Sequence, residues 1–129
     1  MRWSYSCPHC GAMLNPDETV ILVGQHGSTR ILLGLHPEPG NYRAFMPPGI
    51  DSPDGTRWNF SCPLCHADLA TDAAPELCAI DMRTEGSKHR VYFARTAGEQ
   101  ATFVVSAEGL VEQHGRDVAS HPLDLLDLI

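Results

Sequence analysis

The sequence predicts a mainly β protein made of two similar halves, each a cysteine turn followed by a β-hairpin, with a short C-terminal helix or tail. Three observations predict it. Residues 2–17, RWSYSCPHCGAMLNPD, align without a gap on residues 57–72, RWNFSCPLCHADLATD, with nine identities in sixteen positions. Each copy carries one C-P-x-C turn, Cys7/Cys10 and Cys62/Cys65. Each copy is followed by two β-rich runs around a Gly-Ser, the pattern of a hairpin.

The elements follow in order. After the first turn, TVILVGQHGSTRILLGL gives a hairpin around Gly27-Ser28. The proline-rich PEPGNYRAFMPPGIDSPDGT reads as a loop around one short strand near Tyr42–Met46. After the second turn, LCAIDMRTEGSKHRVYFAR gives a hairpin around Gly86-Ser87. ATFVVS (101–106) is a further strand, and GLVEQHG adds a short one. In SHPLDLLDLI, His121-Pro122 can start a helix with Leu123 and Leu126 facing inward; a partly ordered tail is the plainer alternative. Its LLDLI resembles short acidic-leucine docking motifs. The repeat thus spans 2–35 and 57–95, joined by a connection at 36–56 and followed by a C-terminal segment at 119–129. A length of 129 residues suits a single domain, 1–129, with a core of its own.

The formal charge is −7, from 16 acidic against 9 basic residues, and Lys88 is the only lysine. Such a chain repels phosphate backbones, so nucleic acid is not the expected partner. Lys88, His89 and Arg90 read as one solvated hairpin end. No run of about 18 apolar residues is present, which argues against a membrane span. MRWSYSCPHC lacks the apolar segment of a signal peptide, so the expectation is a reducing cytoplasm, where cysteines serve as ligands or catalysts more often than as disulfides. An odd count of five cysteines also forbids full pairing within one chain.

Two C-x-x-C turns separated by 51 residues supply four thiolates in two pairs, the ligand set of a tetrahedral zinc site: Cys7, Cys10, Cys62 and Cys65. Proline inside each turn fixes φ, and Gly11 allows a positive φ that aims backbone N–H groups at the sulfurs. Four thiolates on one Zn²⁺ would bring the charge to roughly −9. In these residues, CPHCG (7–11) and CPLCH (62–66), the chain resembles zinc-ribbon and rubredoxin-like proteins. The resemblance implies one metal held by both knuckles, zinc or alternatively iron. His66 stands where the second knuckle of that pattern has glycine, which puts its N–H geometry in question.

CPHC alone also matches the redox motif of thiol oxidases of the thioredoxin superfamily, with Cys7 and Cys10 as the reactive pair. That chemistry wants a helix starting at the first cysteine, and GAMLNPDE is a poor helix. It also leaves the second, aligned CPLC without a purpose. Elsewhere, Cys78 in ELCAIDM reads as a buried core thiol. His9 reads as a solvated turn residue, and His66 as a bystander beside four thiolates. Trp3 and Trp58, at matched positions, read as a symmetric wall of the core near the metal. His26, His36, His89, His114 and His121 form no hydrolytic motif, and Asp17, Asp51 and Asp54 read as turn residues. A closed tetrathiolate site leaves no open position for catalysis.

The functional expectation is therefore a zinc-stabilised, non-catalytic binding or adaptor protein that contacts another protein. An iron electron carrier is the second reading, and a thiol-disulfide oxidoreductase the third. Exposed hairpin edges would also permit a homodimer.

Overall fold

The computed structural model describes residues 3–72, 74–109 and 111–118. It is mainly β, with no α-helix among the described residues. The strands are β1 (Ser4–Ser6), β2 (Val20–His26), β3 (Thr29–Leu35), β4 (Ala44–Phe45), β5 (Asn59–Ser61), β6 (Leu77–Thr84), β7 (Ser87–Ala94), β8 (Thr102–Ser106) and β9 (Val111–His114). They form two antiparallel sheets, in the orders β1-β6-β7-β8-β9 and β4-β3-β2-β5. The C-terminal helix or tail expected at 119–129, His121 and LLDLI included, lies outside the described residues. No helix among the described residues is long and apolar enough to cross a membrane.

Period-2 alternation explains why the middle of the larger sheet is apolar on both sides. Ile80 and Met82 of β6, Val91 of β7 and Val104 of β8 point to one face. There they join Leu22 and Leu33 of the smaller sheet, with Tyr5, Trp58 and Phe60, in one core. Leu77, Ala79, Tyr92, Phe103 and Val105 point the other way and form a second cluster, packed by Ala74, Val111 and Val118. Each such fully buried large side chain contributes about 1.5–3 kcal/mol over its exposed state.

The strand exchange between the sheets has no counterpart in the local sequence pattern. β1 precedes the first cysteine turn, yet it pairs with β6 of the second hairpin, Tyr5 opposite Met82. β5 precedes the second turn and pairs with β2 of the first hairpin, Phe60 opposite Gly24. Gly24 is required there by space: a Cβ on it would come within 2.6 Å of Leu33 Cδ2 and 3.2 Å of Trp58 Cε3. Each cysteine turn is thus tied to the hairpin that follows the other one.

Two details correct the sequence reading. The second hairpin turns on Glu85–Gly86, because Ser87 already pairs with Thr84 in the ladder. Gly86 has φ 77°, whereas the first turn places its positive φ, 58°, one position earlier at Gly27. A similar dipeptide is thus used in two different turns. The hairpin end around Lys88 is not wholly solvated either. Lys88 and Arg90 are exposed, but His89 is half-buried and its Nδ1 has no hydrogen-bond partner among the described residues.

Candidate metal centre

Each cysteine turn is built by the same backbone bonds. In the first, the N–H of Gly11 donates to the Cys7 carbonyl at 2.9 Å, that of Cys7 to Ala12 at 2.9 Å, and that of Leu14 to Tyr5 at 2.8 Å. In the second, His66 donates to Cys62 at 3.0 Å, Cys62 to Ala67 at 3.1 Å, and Leu69 to Phe60 at 2.9 Å. A chain reversal this tight needs a left-handed residue after the second cysteine. Gly11 takes it at φ 75° and His66 at φ 63°. The doubt that His66 raised is thereby resolved: the side chain is accepted at the cost of local strain.

The geometry brings all four predicted ligands together. The Sγ atoms of Cys7, Cys10, Cys62 and Cys65 lie within 4.8 Å of one another. The short separations cross between turns: Cys7 to Cys65 is 3.7 Å and Cys10 to Cys62 is 3.7 Å. A disulfide would need about 2.0 Å. A metal with four bonds of about 2.3 Å to sulfur sets the sulfurs about 3.8 Å apart. The spacing therefore fits a four-sulfur shell around one ion, and the four thiols could hold a metal.

Backbone donors face these sulfurs. The N–H of His9 lies 3.3 Å from Cys7 Sγ, and those of Leu64 and Cys65 lie 3.4 and 3.5 Å from Cys62 Sγ. Such donors spread thiolate charge. Their effect differs between the two buried cysteines. Burial pushes the Cys7 thiol up to about 12, against the opposing N–H groups of Cys10 and His9. Burial also acts on Cys62, but the N–H groups of Cys65 and Leu64 and the Cys10 sulfur outweigh it and bring that thiol down to about 7. A cation in the middle would favour the thiolate at all four positions. Cys7 and Cys62 are buried and Cys10 and Cys65 exposed, so the sulfur shell has a protein side and a solvent side.

The remaining candidates fall elsewhere. Among the described residues no histidine or carboxylate joins the cysteine group. His9 is exposed, and His66 points its Nδ1 toward Arg30 Nη2 at 3.4 Å. Cys78 is fully buried in the shared core, and burial pushes its thiol up to about 12. The matched tryptophans are not a symmetric wall. Trp58 is 2 % exposed and donates its Nε1–H to Ser52 Oγ, while Trp3 is half-buried at the core's margin.

Asn15 is a structural residue that motif reading passed over. It is fully buried, accepts from the Tyr5 N–H at 2.8 Å and donates to the Trp3 carbonyl at 2.7 Å. It locks β1 to the return arm of the first turn. The signal was only the Asn-Pro step, which reads equally well as an ordinary turn. Comparison with family models, with curated proteins and with solved structures gives no match.

Proposed function

We propose that Cys7, Cys10, Cys62 and Cys65 hold one structural zinc ion, and that the chain is a non-catalytic binding or adaptor protein. The single observation behind this reading is the crossed four-sulfur cluster, with pairs at 3.7 Å contributed by two separate turns. In this reading the chain is one domain of two similar halves, and the metal clips them together. The matching backbone bonds of the two turns, 55 residues apart throughout, support the halves. So do the exchanged strands: β1 crosses to β6 as β5 crosses to β2. By that pairing Gly24 corresponds to Met82, a spacing of 58, so the second half has a link three residues longer.

The adaptor role draws on surface chemistry. Leu64, inside the second turn, is 68 % exposed, and Met13, just past the first, is 55 % exposed. Apolar side chains beside an acidic surface suit contact with another protein.

One observation favours iron as a second reading. Cys10 and Cys65 are exposed, so a redox-active ion in the same shell would have a thiolate route to a docked partner. The thiol-oxidase reading has less behind it. A reactive thiol needs a lowered pKa, and that of Cys7 is raised.

The test is metal analysis by mass spectrometry, with an absorption spectrum, on protein purified without added metal. One zinc per chain in a colourless solution is the expected result. Iron with visible absorption would replace zinc by the electron carrier, and a metal-free chain with an oxidised Cys7–Cys10 pair would replace both.

A further inference from the structure

A cavity of about 390 Å³ opens between the two sheets, beneath the connecting segment 36–46. Its walls are apolar: Leu33 of the smaller sheet, Val91 and Phe93 of the larger, and the rings of Trp58 and Phe60. None of the four clustered cysteines lines it. Its size falls within the range of small-molecule sites.

One charged group stands out in that lining. Arg95 is 7 % exposed and stands one residue past the end of β7, two after Phe93. Its Nε donates to the Trp58 carbonyl at 2.9 Å and its Nη1 to the Pro75 carbonyl at 3.1 Å. Those two bonds fix the guanidinium plane. Among the described residues no carboxylate forms an ion pair with it. Nη2 makes no hydrogen bond there, yet it is not among the sealed polar atoms, so it still meets open space. The other charged residues of the lining, Glu38, Arg43 and Glu99, are exposed or half-buried, so Arg95 is the buried charge among them.

A buried cation held only by neutral carbonyls is costly unless an anion completes it. A guanidinium with Nη2 and one Nη1 hydrogen to spare presents a fork that matches a carboxylate. We propose that this cavity binds a small monocarboxylate with an aromatic or branched apolar body. The carboxylate pairs with Arg95, and the body lies against Trp58, Phe60 and Phe93. The proposal does not depend on the metal reading, because no cysteine of that cluster takes part.

The experiment uses the full chain, purified without chelator, and two probe pairs: indole-3-acetate against indole-3-ethanol, and 4-methylvalerate against 4-methylpentanol. Binding is followed by calorimetry. At least one acid is expected to bind at one per chain, roughly tenfold or more tighter than its alcohol. Arg95→Gln should erase that preference. Ala44→Phe, which enlarges an exposed residue at the cavity wall, should weaken acid and alcohol together. If Arg95→Gln does not fold, the acid-against-alcohol ratio and Ala44→Phe decide the matter. Equal affinity for acid and alcohol, no binding of either acid, or acid binding untouched by Ala44→Phe would each overturn the proposal.

Discussion

After the second cysteine of the first turn stands Gly11; at the same place in the second stands His66. Both residues hold a left-handed φ, 75° and 63°, and both donate the same backbone bond to the first cysteine of their turn. Glycine takes that conformation freely, whereas an L side chain is strained there by about 1 kcal/mol or more. The second turn keeps its geometry against that strain, so something outside the turn holds it. β5 pairing with β2, the sulfurs of the other turn at 3.7 Å, and the contact of His66 Nδ1 with Arg30 Nη2 at 3.4 Å are outside restraints on it. The comparison teaches that the cysteine turn is specified by its neighbours as much as by its own five residues.

Four predictions break or sharpen that comparison. The largest expected effect is loss of the proposed metal. Structural zinc supplies on the order of 10–16 kcal/mol in small peptides at neutral pH, so Cys7→Ser and Cys62→Ser should each lower stability severely, and alike. Thermal unfolding of both variants measures it, and a variant of either turn that melts like the parent would break the shared-site account.

Next comes the asymmetric latch. Asn15→Ala leaves the Tyr5 N–H and the Trp3 carbonyl without their buried partner, and should cost about 1–3 kcal/mol in denaturant unfolding. After the second cysteine turn the aligned position is Ala70, so no equivalent loss exists there. A neutral Asn15→Ala would show that β1 is held by the sheet alone.

The turns themselves give smaller and opposite shifts. A Cβ at Gly11 meets nothing within 4 Å, so Gly11→Ala isolates backbone strain and should cost about 1 kcal/mol. His66→Gly should gain up to about 1 kcal/mol at the matching site, offset in part by the unfolded-state freedom of glycine. Shifts of the same sign would refute the equivalence of the two residues.

The last effect is visible only at alkaline pH. Cys78 is raised from the ordinary 9.0 to about 12 by burial. Below pH 9 its thiol is neutral in both folded and unfolded chains and adds no pH dependence. Above pH 9 the unfolded thiol ionises while the buried one keeps its proton, so stability falls as pH rises toward 12. Cys78→Ala should flatten that decline in stability measured between those values. An unchanged slope would mean that Cys78 is not sealed in the core.

What the sequence made legible follows from where the information is local. The strands and the cysteine pairs were readable because β-branched runs, turn residues and C-P-x-C spacing each act over a few residues. The crossed pairing of β1 with β6 and β5 with β2 was not, because strands of three residues carry no long-range signal. The different turns at Gly27–Ser28 and Glu85–Gly86 depend on register, which the dipeptide does not encode. The unequal burial of Trp3 and Trp58 follows from their positions relative to the core, and the Arg95 cavity from segments far apart in the chain.

The most direct test of the central claim is a cobalt(II) titration of the metal-stripped, reduced chain, read in the visible spectrum. The account predicts the strong bands of a tetrahedral tetrathiolate, saturating at one cobalt per chain and lost alike in Cys10→Ser and Cys65→Ser. Two cobalt ions per chain, the weak bands of a water-rich site, or bands that survive removal of one turn's cysteine would contradict it.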